Sequence, residues 1–294
     1  MQNKLTIRPA QQSDREAVFK FCEHTFDWGD YVPNVWDVWL KEKQAQLFTA
    51  TLDNKPVGIM CVSIRKPGEA WLQAARTDPN YRRRGVATAL TNACLEWAEN
   101  KGSETARLST DSDNYAAQKV LEALGFTQVS DFLIMKCEKL RVEETENSRW
   151  AKKGDLEKMW SFLTSSEVFK KSAGLYTVMF TWASLNKQTL ARFIADKKAI
   201  VQDNNKAIGG LVLIDETIKD VWQEKPFQTC YIDGDRQVIV DIMKFFKTYS
   251  YKKGIMNVYA FACNTPTIAA ALTEAGFSRE ETETELIYQK KLIP

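Results

Sequence analysis

The sequence predicts an α/β chain: an α+β sandwich with a mixed central sheet and flanking helices, built twice in tandem over residues 1–139 and 140–294. Three observations point there. Residues 69–77 (Glu-Ala-Trp-Leu-Gln-Ala-Ala-Arg-Thr) read as a strand, and beyond them Val86, Leu90, Cys94 and Trp97 recur at the spacing of one helix face. Segments of strand and helix character alternate through the rest of the first half. Markers of that half then return in one register: Gly58 as Gly209, Trp71 as Trp222 and Gly125-Phe126 as Gly276-Phe277 at an offset of 151, and Lys101-Gly102 as Lys253-Gly254 at 152.

Taken in order, residues 5–9 read as a first strand. Ser13 or Asp14 can cap a helix whose buried stripe is Ala17, Val18, Phe21 and Cys22. His24, the only histidine, follows that helix with no partner carboxylate or nucleophile near it in sequence, and reads as structural. Residues 26–33 (Phe-Asp-Trp-Gly-Asp-Tyr-Val-Pro) are irregular, aromatic and acidic, a candidate loop over a binding site. Residues 45–52 and 57–65 form a hairpin about Asp53-Asn54-Lys55-Pro56. After the strand and helix already named come a strand at 104–110, a junction from Asp111 to Asn114, a helix over 115–124 and a strand at 132–137. Arg8 and Asp14 return as Arg149 and Asp155 at an offset of 141, so about ten extra residues enter the second copy between its first two strands. The boundary falls in the charged stretch 140–148.

Composition excludes several classes. With 44% hydrophobic and 27% charged residues in a chain of 294, two soluble domains can each bury a core. A net charge of +2 supplies no global field toward nucleic acid or membrane, and no apolar run reaches membrane-spanning length. Met1-Gln2-Asn3-Lys4 leads directly into a strand, so a cytoplasmic protein is expected, a monomer or homodimer. Cys22, Cys61, Cys94, Cys137, Cys230 and Cys263 lack paired metal spacing and sit in apolar segments, which predicts reduced core thiols and no metal.

The turn from Thr77 to Ala87 carries the chemistry. A strand feeding a helix start leaves backbone N–H groups unpaired at the positive end of the helix dipole. Gly85 and Ala87 keep the approach to the main chain open, and Arg82, Arg83 and Arg84 flank it, so a pyrophosphate suits the turn. Neither the lysine of a P-loop nor the three-glycine dinucleotide fingerprint is present.

Arg82-x-x-Gly85-x-Ala87 after a strand ending in Asp78-Pro79 resembles the acetyl-coenzyme A turn of the GNAT superfamily of N-acetyltransferases. Ile7-Arg8-Pro9-Ala10 with Asp14, Asn114-Tyr115-Ala116-Ala117, and Leu124-Gly125-Phe126 extend the resemblance across residues 5–139. It implies acetyl-coenzyme A as co-substrate, held by Arg76, Thr77, Arg82, Arg83, Arg84, Gly85, Val86, Ala87, Thr88 and Asn114. The thioester carbonyl would meet a backbone N–H near Arg76 or Thr77. Trp28, Tyr31, Gln73 and Arg76 would face the acceptor, a primary amine of a small molecule such as an amino acid, whose carboxylate Arg76 could grip with two hydrogen bonds. A salt bridge from Arg76 to Glu69 or to an acid of the second copy is the alternative.

The family's frequent acid, a tyrosine four residues before Gly-Phe, is Leu121 here, and its frequent base, a glutamate in the fourth strand, is Gln73. Asp111 is the first candidate to move a proton and Tyr115 a weaker one; Glu69, Asp113, Asp27 and Asp30 are further acids near the expected cleft. Two other readings stay open: a protein or peptide N-acetyltransferase, which would want an open groove, and, because both usual groups are missing, a coenzyme A-binding sensor without catalysis. In the second copy the 151 offset sets Asp233-Gly234-Asp235 where the arginines stood, so no coenzyme A is expected there. That copy would instead supply aromatic surface such as Tyr176, Phe180 and Trp182.

Overall fold

The computed structural model describes residues 4–204, 207–216, 227–279 and 284–292; Trp222, one of the repeat markers, lies outside them. The chain forms two compact units, one comprising Met1–Ser109, Asn114–Thr127 and Tyr288–Pro294, the other Thr110–Asp113 and Gln128–Ile287.

In the first unit the elements run β1 (Leu5–Pro9), α1 (Arg15–Cys22), α2 (Val32–Trp39), β2 (Ala45–Leu52), β3 (Lys55–Lys66), β4 (Glu69–Thr77), α3 (Val86–Asn100), β5 (Thr105–Asp111, up to Ser109) and α4 (Tyr115–Ala123). Strands β1 to β4 form an antiparallel meander, and β5 adds to β4 in parallel. Alternation of side chains along β3 sorts the helices between the two faces. Ile59 and Cys61 join Val18, Cys22, Val32, Trp36, Leu47 and Ala74 in one core beneath α1 and α2. Gly58 and Met60 face α3: a Cβ at Gly58 would lie 2.6 Å from Val86 Cγ1, and Thr91 Oγ1 reaches Met60 Sδ at 3.6 Å. Glycine at 58 therefore lets α3 seat close to the sheet. Arg8 grips Asp14 through two 2.7 Å bonds, and Asp14 also accepts from Gln11 N at 2.8 Å, which fixes the chain's entry into α1.

The second unit carries β6 (Thr127–Cys137, from Gln128 onward), β7 (Ser148–Trp150), α5 (Leu156–Ser165), α6 (Glu167–Lys171), β8 (Leu175–Thr177), β9 (Trp182–Ser184), α7 (Lys187–Ala195), β10 (Ala199–Asn204), β11 (Ala207–Asp215), β12 (Phe227–Gly234), α8 (Arg236–Lys252), β13 (Val258–Cys263), α9 (Pro266–Glu274) and the start of β14 (Glu285–Lys291). Its strands β7, β10, β11 and β12 repeat the meander, and β13 pairs with β12 in parallel. Arg149 grips Asp155 as Arg8 grips Asp14. Arg8 pairs across the ladder with Thr49 and Arg149 with Val201, separations of 41 and 52 residues, so the second copy is longer between its first two strands as its sequence implied. The β8–β9 hairpin and α6 lie within that longer stretch. Trp182 is not available surface: it is 1% exposed and packs edge-on to Phe132 and Phe261. Tyr176 packs against Phe193, and of the three aromatics only Phe180 is exposed.

The two units do not divide the chain at residues 139 and 140. Strand β6 pairs with β13 over Phe132–Cys137 and Val258–Cys263, inside the second unit. The chain's end belongs to the first unit, where Arg107 Nε bonds Gln289 Oε1 at 2.7 Å, Lys290 Nζ bonds the Leu124 carbonyl at 2.8 Å and Leu292 N bonds the Glu104 carbonyl at 2.8 Å. Each sequence half thus sends its last strand into the other half's unit.

Candidate active site

The site begins where β4 leaves β5. Their parallel pairing covers Glu69–Trp71 against Thr105–Arg107, while β4 continues to Thr77 along β3. The β3–β4 register breaks between Ile59 and Cys61, and Ala74 opposite that break has φ of 57°, a left-handed backbone that costs a non-glycine residue about 1 kcal/mol or more. This bulge bends β4 just past the last β5 pair, so the strand edge from Leu72 to Thr77 opens away from the ladder. Main-chain N–H and C=O groups on that edge are what an extended amide chain or a thioester carbonyl can pair with.

Beyond β4 the turn is built by local bonds. The Asp78 carboxylate accepts from Asn80 N at 2.9 Å and Asn80 Nδ2 at 3.0 Å, folding Pro79–Tyr81 into a tight helical turn. Arg83 (φ 60°) and Gly85 (φ 76°) then swing the backbone into α3, whose first bond runs from Ala89 N to the Gly85 carbonyl at 2.9 Å. The N–H groups of Val86, Ala87 and Thr88 precede that bond and have no partner within the helix. No acidic side chain stands in the first turn, and nothing lies within 4 Å of a Cβ built on Gly85. Arg82, Arg83 and Arg84 are exposed around this opening, with the Arg84 guanidinium 5.3 Å from the Tyr81 ring centre. A helix start stripped of side chains and ringed by arginines can take a diphosphate.

The second unit cannot offer the same turn, for a reason different from the expected exchange of arginines for acids. Gly58 pairs with Thr77 and meets Val86; Gly210 pairs with Gly234 and meets Val238. Thr77 to Val86 is nine steps, and Gly234 to Val238 is four. The turn is five residues shorter, and Asp233 stands within β12, buried opposite Leu211, where the first unit has Arg76 opposite Ile59. Its carboxyl is pushed up by burial, against the hydrogen bonds of Ser166 and Tyr231.

Arg76 is not free to grip an acceptor carboxylate. Its Nε bonds Asp30 Oδ2 at 2.7 Å and its Nη2 reaches Asp30 Oδ1 at 3.5 Å, while Nη1 bonds the Ala75 carbonyl at 3.3 Å. The guanidinium faces Phe26 at 5.1 Å and Tyr31 at 5.4 Å. The Asp30 side chain is 1% exposed and also accepts from Val32 N at 2.9 Å. Burial is the largest single influence and works against the guanidinium's charge, but the bond to Asp30 and the attraction of Tyr31, Asp30 and Cys22 together outweigh it, so the Arg76 pKa stands above its ordinary value. Glu69, the other partner considered, is held by Arg107 at 2.7 Å. Sequence reasoning placed Asp30 in the loop but missed its role, which depends on an approach across 46 residues.

The loop anchored by this pair is a small hairpin in which Phe26 and Gly29 exchange backbone bonds of 3.0 Å. Trp28 stacks on Phe26 at 4.9 Å with ring planes 6° apart and is 58% exposed. Tyr31 packs edge-on to Trp39, and burial raises its phenol pKa. Gln73 is half-buried beside Cys61, whose thiol burial drives to about 12 while the Gln73 hydrogen bond opposes the rise. Asn114 caps α4 by accepting from Ala117 N at 3.2 Å. Tyr115 begins α4 and is 67% exposed, and Leu121 is core. Asp111 and Asp113 belong to the second unit's segment Thr110–Asp113, Asp111 half-buried and engaged with a partner, Asp113 exposed. His24 is exposed just past α1. Among the described residues no group of three or more His, Cys, Asp or Glu is placed to hold a metal ion.

Comparison with known proteins agrees with this geometry. Residues 15–126 match the acetyltransferase (GNAT) family. An uncharacterized N-acetyltransferase of Methanocaldococcus jannaschii is 28% identical over 138 residues, covering 42% of this chain and 61% of its own. The chain thus spans about three fifths of the length of the curated relatives it matches first. Among solved structures, a GCN5-related N-acetyltransferase from Sphaerobacter thermophilus aligns over 99% of this chain and 96% of its own, with a TM-score of 0.65 at 14% identity. A tandem GNAT protein from the clavulanic acid biosynthesis pathway aligns over 99% of both chains, with a TM-score of 0.55 at 11% identity. At such identities the likeness is one of fold, and it extends over both halves. The turn at the start of α3 and the bulged β4 lie within residues 15–126, the stretch that matches the GNAT family of acetyltransferases.

Proposed function

We propose that this chain transfers the acetyl group of acetyl-coenzyme A to a primary amine of a small molecule. The observation that carries the reading is the turn from Asp78 to Gly85, which opens the start of α3 between three exposed arginines beside the unpaired edge of β4. The diphosphate would take the N–H groups of Val86, Ala87 and Thr88 and the side chains of Arg82, Arg83 and Arg84. Pantetheine would run along the β4 edge past Asn114, and the thioester carbonyl would accept from a main-chain N–H near Arg76 or Thr77, which stabilises the charge that develops as the amine attacks.

The neutral amine forms a C–N bond to the carbonyl carbon, the C–S bond breaks, the amine gives up one proton and the departing thiolate takes one. With leucine at 121 and glutamine at 73, no carboxylate or phenol stands at the family's two usual positions. Asp111 and Tyr115 remain the candidates for proton transfer, with water as the carrier. Leu121 and Gln73 favour one rival, a module that binds coenzyme A without turning it over. Thiol release from acetyl-coenzyme A with a panel of amines, run beside calorimetry of coenzyme A binding, separates the two. Release above the amine-free rate supports transfer; binding without release from any amine supports the rival; absence of binding overturns both. A protein or peptide acceptor would appear as release with peptides exceeding that with small amines.

A further inference from the structure

The turn from Asp78 to Gly85 has a second opening, beside the β2–β3 hairpin. Two left-handed residues, Asp53 (φ 50°) and Asn54 (φ 65°), close that hairpin and set Leu52 opposite Lys55. Leu52, Asp53 and Lys55, with Asn80, Tyr81 and Arg84 from the turn, line a hollow of about 490 Å³, large enough for a phosphorylated sugar. Lys55 Nζ and the Arg84 guanidinium each stand 5.3 Å from the centre of the Tyr81 ring, which holds both cations in place before anything binds. Among the described residues neither forms an ion pair, so two like charges converge on the hollow with no anion between them. Asp53 lines the same hollow, exposed and without a hydrogen-bond partner among the described residues. Two cations and one carboxylate suit a phosphate that carries a hydroxyl beside it better than a bare anion. The cations take the phosphate, while the carboxylate, which would repel a lone phosphate, accepts from the hydroxyl as an acidic residue does from a ribose in dinucleotide folds. The hollow also adjoins the seat proposed for the diphosphate, because Arg84 stands on the rim of both.

We propose that this hollow seats the ribose 3′-phosphate of the coenzyme, held by Lys55 and Arg84 with Asp53 accepting from the neighbouring 2′-hydroxyl, so that the chain selects coenzyme A over its 3′-dephospho form. The 3′-phosphate and the 5′-diphosphate hang on one ribose, so their seats must adjoin, and Arg84 joins them. A phosphate monoester carries nearly two negative charges at pH 7, which is the charge that two unpaired cations complement. The proposal rests on the reading of the turn as a coenzyme A site, and it assigns to Lys55 and Asp53 a part in choosing the coenzyme.

The test is calorimetry on the full chain with coenzyme A, 3′-dephospho-coenzyme A and inorganic phosphate. Coenzyme A is expected to bind at least about tenfold more tightly than its dephospho form. Lys55→Gln should close most of that gap by weakening coenzyme A alone, with a native circular dichroism spectrum, and Lys55→Arg should keep the gap. Adenosine 3′,5′-bisphosphate should bind more tightly than its 2′-deoxy analogue, and Asp53→Gly, which keeps the left-handed turn, should remove that difference. Equal affinity for the two coenzymes, or an undiminished gap in folded Lys55→Gln, overturns the proposal and leaves the acetyl-transfer reading standing. Inorganic phosphate that binds through Lys55 while the two coenzymes bind alike does the same, and makes the hollow a separate anion site. Equal binding of the bisphosphate and its 2′-deoxy analogue overturns the part given to Asp53. Binding of neither coenzyme overturns both proposal and reading. A Lys55-dependent gap without thiol release from any amine upholds the seat and refutes acetyl transfer.

Discussion

Replacing Arg76 with lysine tests how the site is held together. Lysine keeps the positive charge but loses the flat fork that reaches both Asp30 oxygens and the face that lies against Phe26 and Tyr31. With Asp30 only 1% and Arg76 only 15% exposed at their side chains, the pair is shielded from water, so each loss counts. Two ring contacts at about 0.5–1 kcal/mol each, and about 1 kcal/mol for the lost hydrogen-bond geometry, give a destabilisation of about 2–3 kcal/mol. For a unit of this size that lowers Tm by about 4–12 °C, measurable by scanning calorimetry. Because the pair ties residues 26–31 to β4, limited proteolysis should also cut that loop faster in the variant than in the wild type. A cycle with Asp30→Asn should show a coupling of at least about 1 kcal/mol between the two sites. Activity should fall by one common factor for an amino acid and its carboxamide. A Tm within 1 °C of wild type, additive losses in the cycle, or a selective loss for the amino acid would each refute the account of Arg76 as an internal anchor.

Three further outcomes are expected. Gly85→Val should bind coenzyme A at least about tenfold more weakly; with open space around the position but φ at 76°, it should remain folded at a cost of about 1–2 kcal/mol, so undiminished affinity in the folded variant removes the assigned turn. Calorimetry should return one coenzyme A site per chain, and Asp235→Ala should leave it unchanged, since the second unit's turn is five residues shorter; two equivalent sites would contradict this. Burial opposes ionisation of Asp14 but its bonds to Arg8 and Gln11 prevail, and the bond to Arg149 leads at Asp155, so both carboxyls sit below their ordinary range. Depressed folded pKa values give stability that is present above the unfolded value near 3.9 and lost as pH falls through the folded values, so Tm should drop below about pH 4, and Asp14→Asn should flatten that drop.

What was legible in the sequence followed from short-range chemistry. The turn at 78–87 and the six buried thiols depend on neighbours a few residues away or on apolar periodicity, and those leave local signatures. Arg8 and Asp14 were visible as markers because their pairing recurs six residues apart in Arg149 and Asp155. The ion pair of Arg76 was not, since Asp30 approaches from a loop that has no regular pattern, and helix α2 beside it is eight residues long with proline in its first turn. Nor was the exchange of last strands. Strands β6 and β14 are equivalent under the repeat, so nothing in either segment says which unit it completes; that choice rests on distant bonds such as those of Arg107, Lys290 and Leu292.

The duplication also explains why one site is expected. Both copies keep the glycine that seats the long helix, Gly58 beneath Val86 and Gly210 beneath Val238, because the packing of helix on sheet depends on it. They part at the strand position opposite the residue after that glycine. The first copy sets Arg76 there and spends its charge on a loop; the second sets Asp233 there, bonded to Tyr231 at 2.7 Å inside a core that includes Phe169 and Met159 nearby in the same unit. A carboxyl raised by burial and satisfied by a phenol is a packing solution, and it comes with a shortened turn that lacks the opening proposed for the diphosphate. Lengthening the second copy's turn to the first copy's nine steps should therefore restore the backbone opening proposed to hold the diphosphate, but it would still leave Asp233 at the position from which Arg76 holds Asp30 in the first copy.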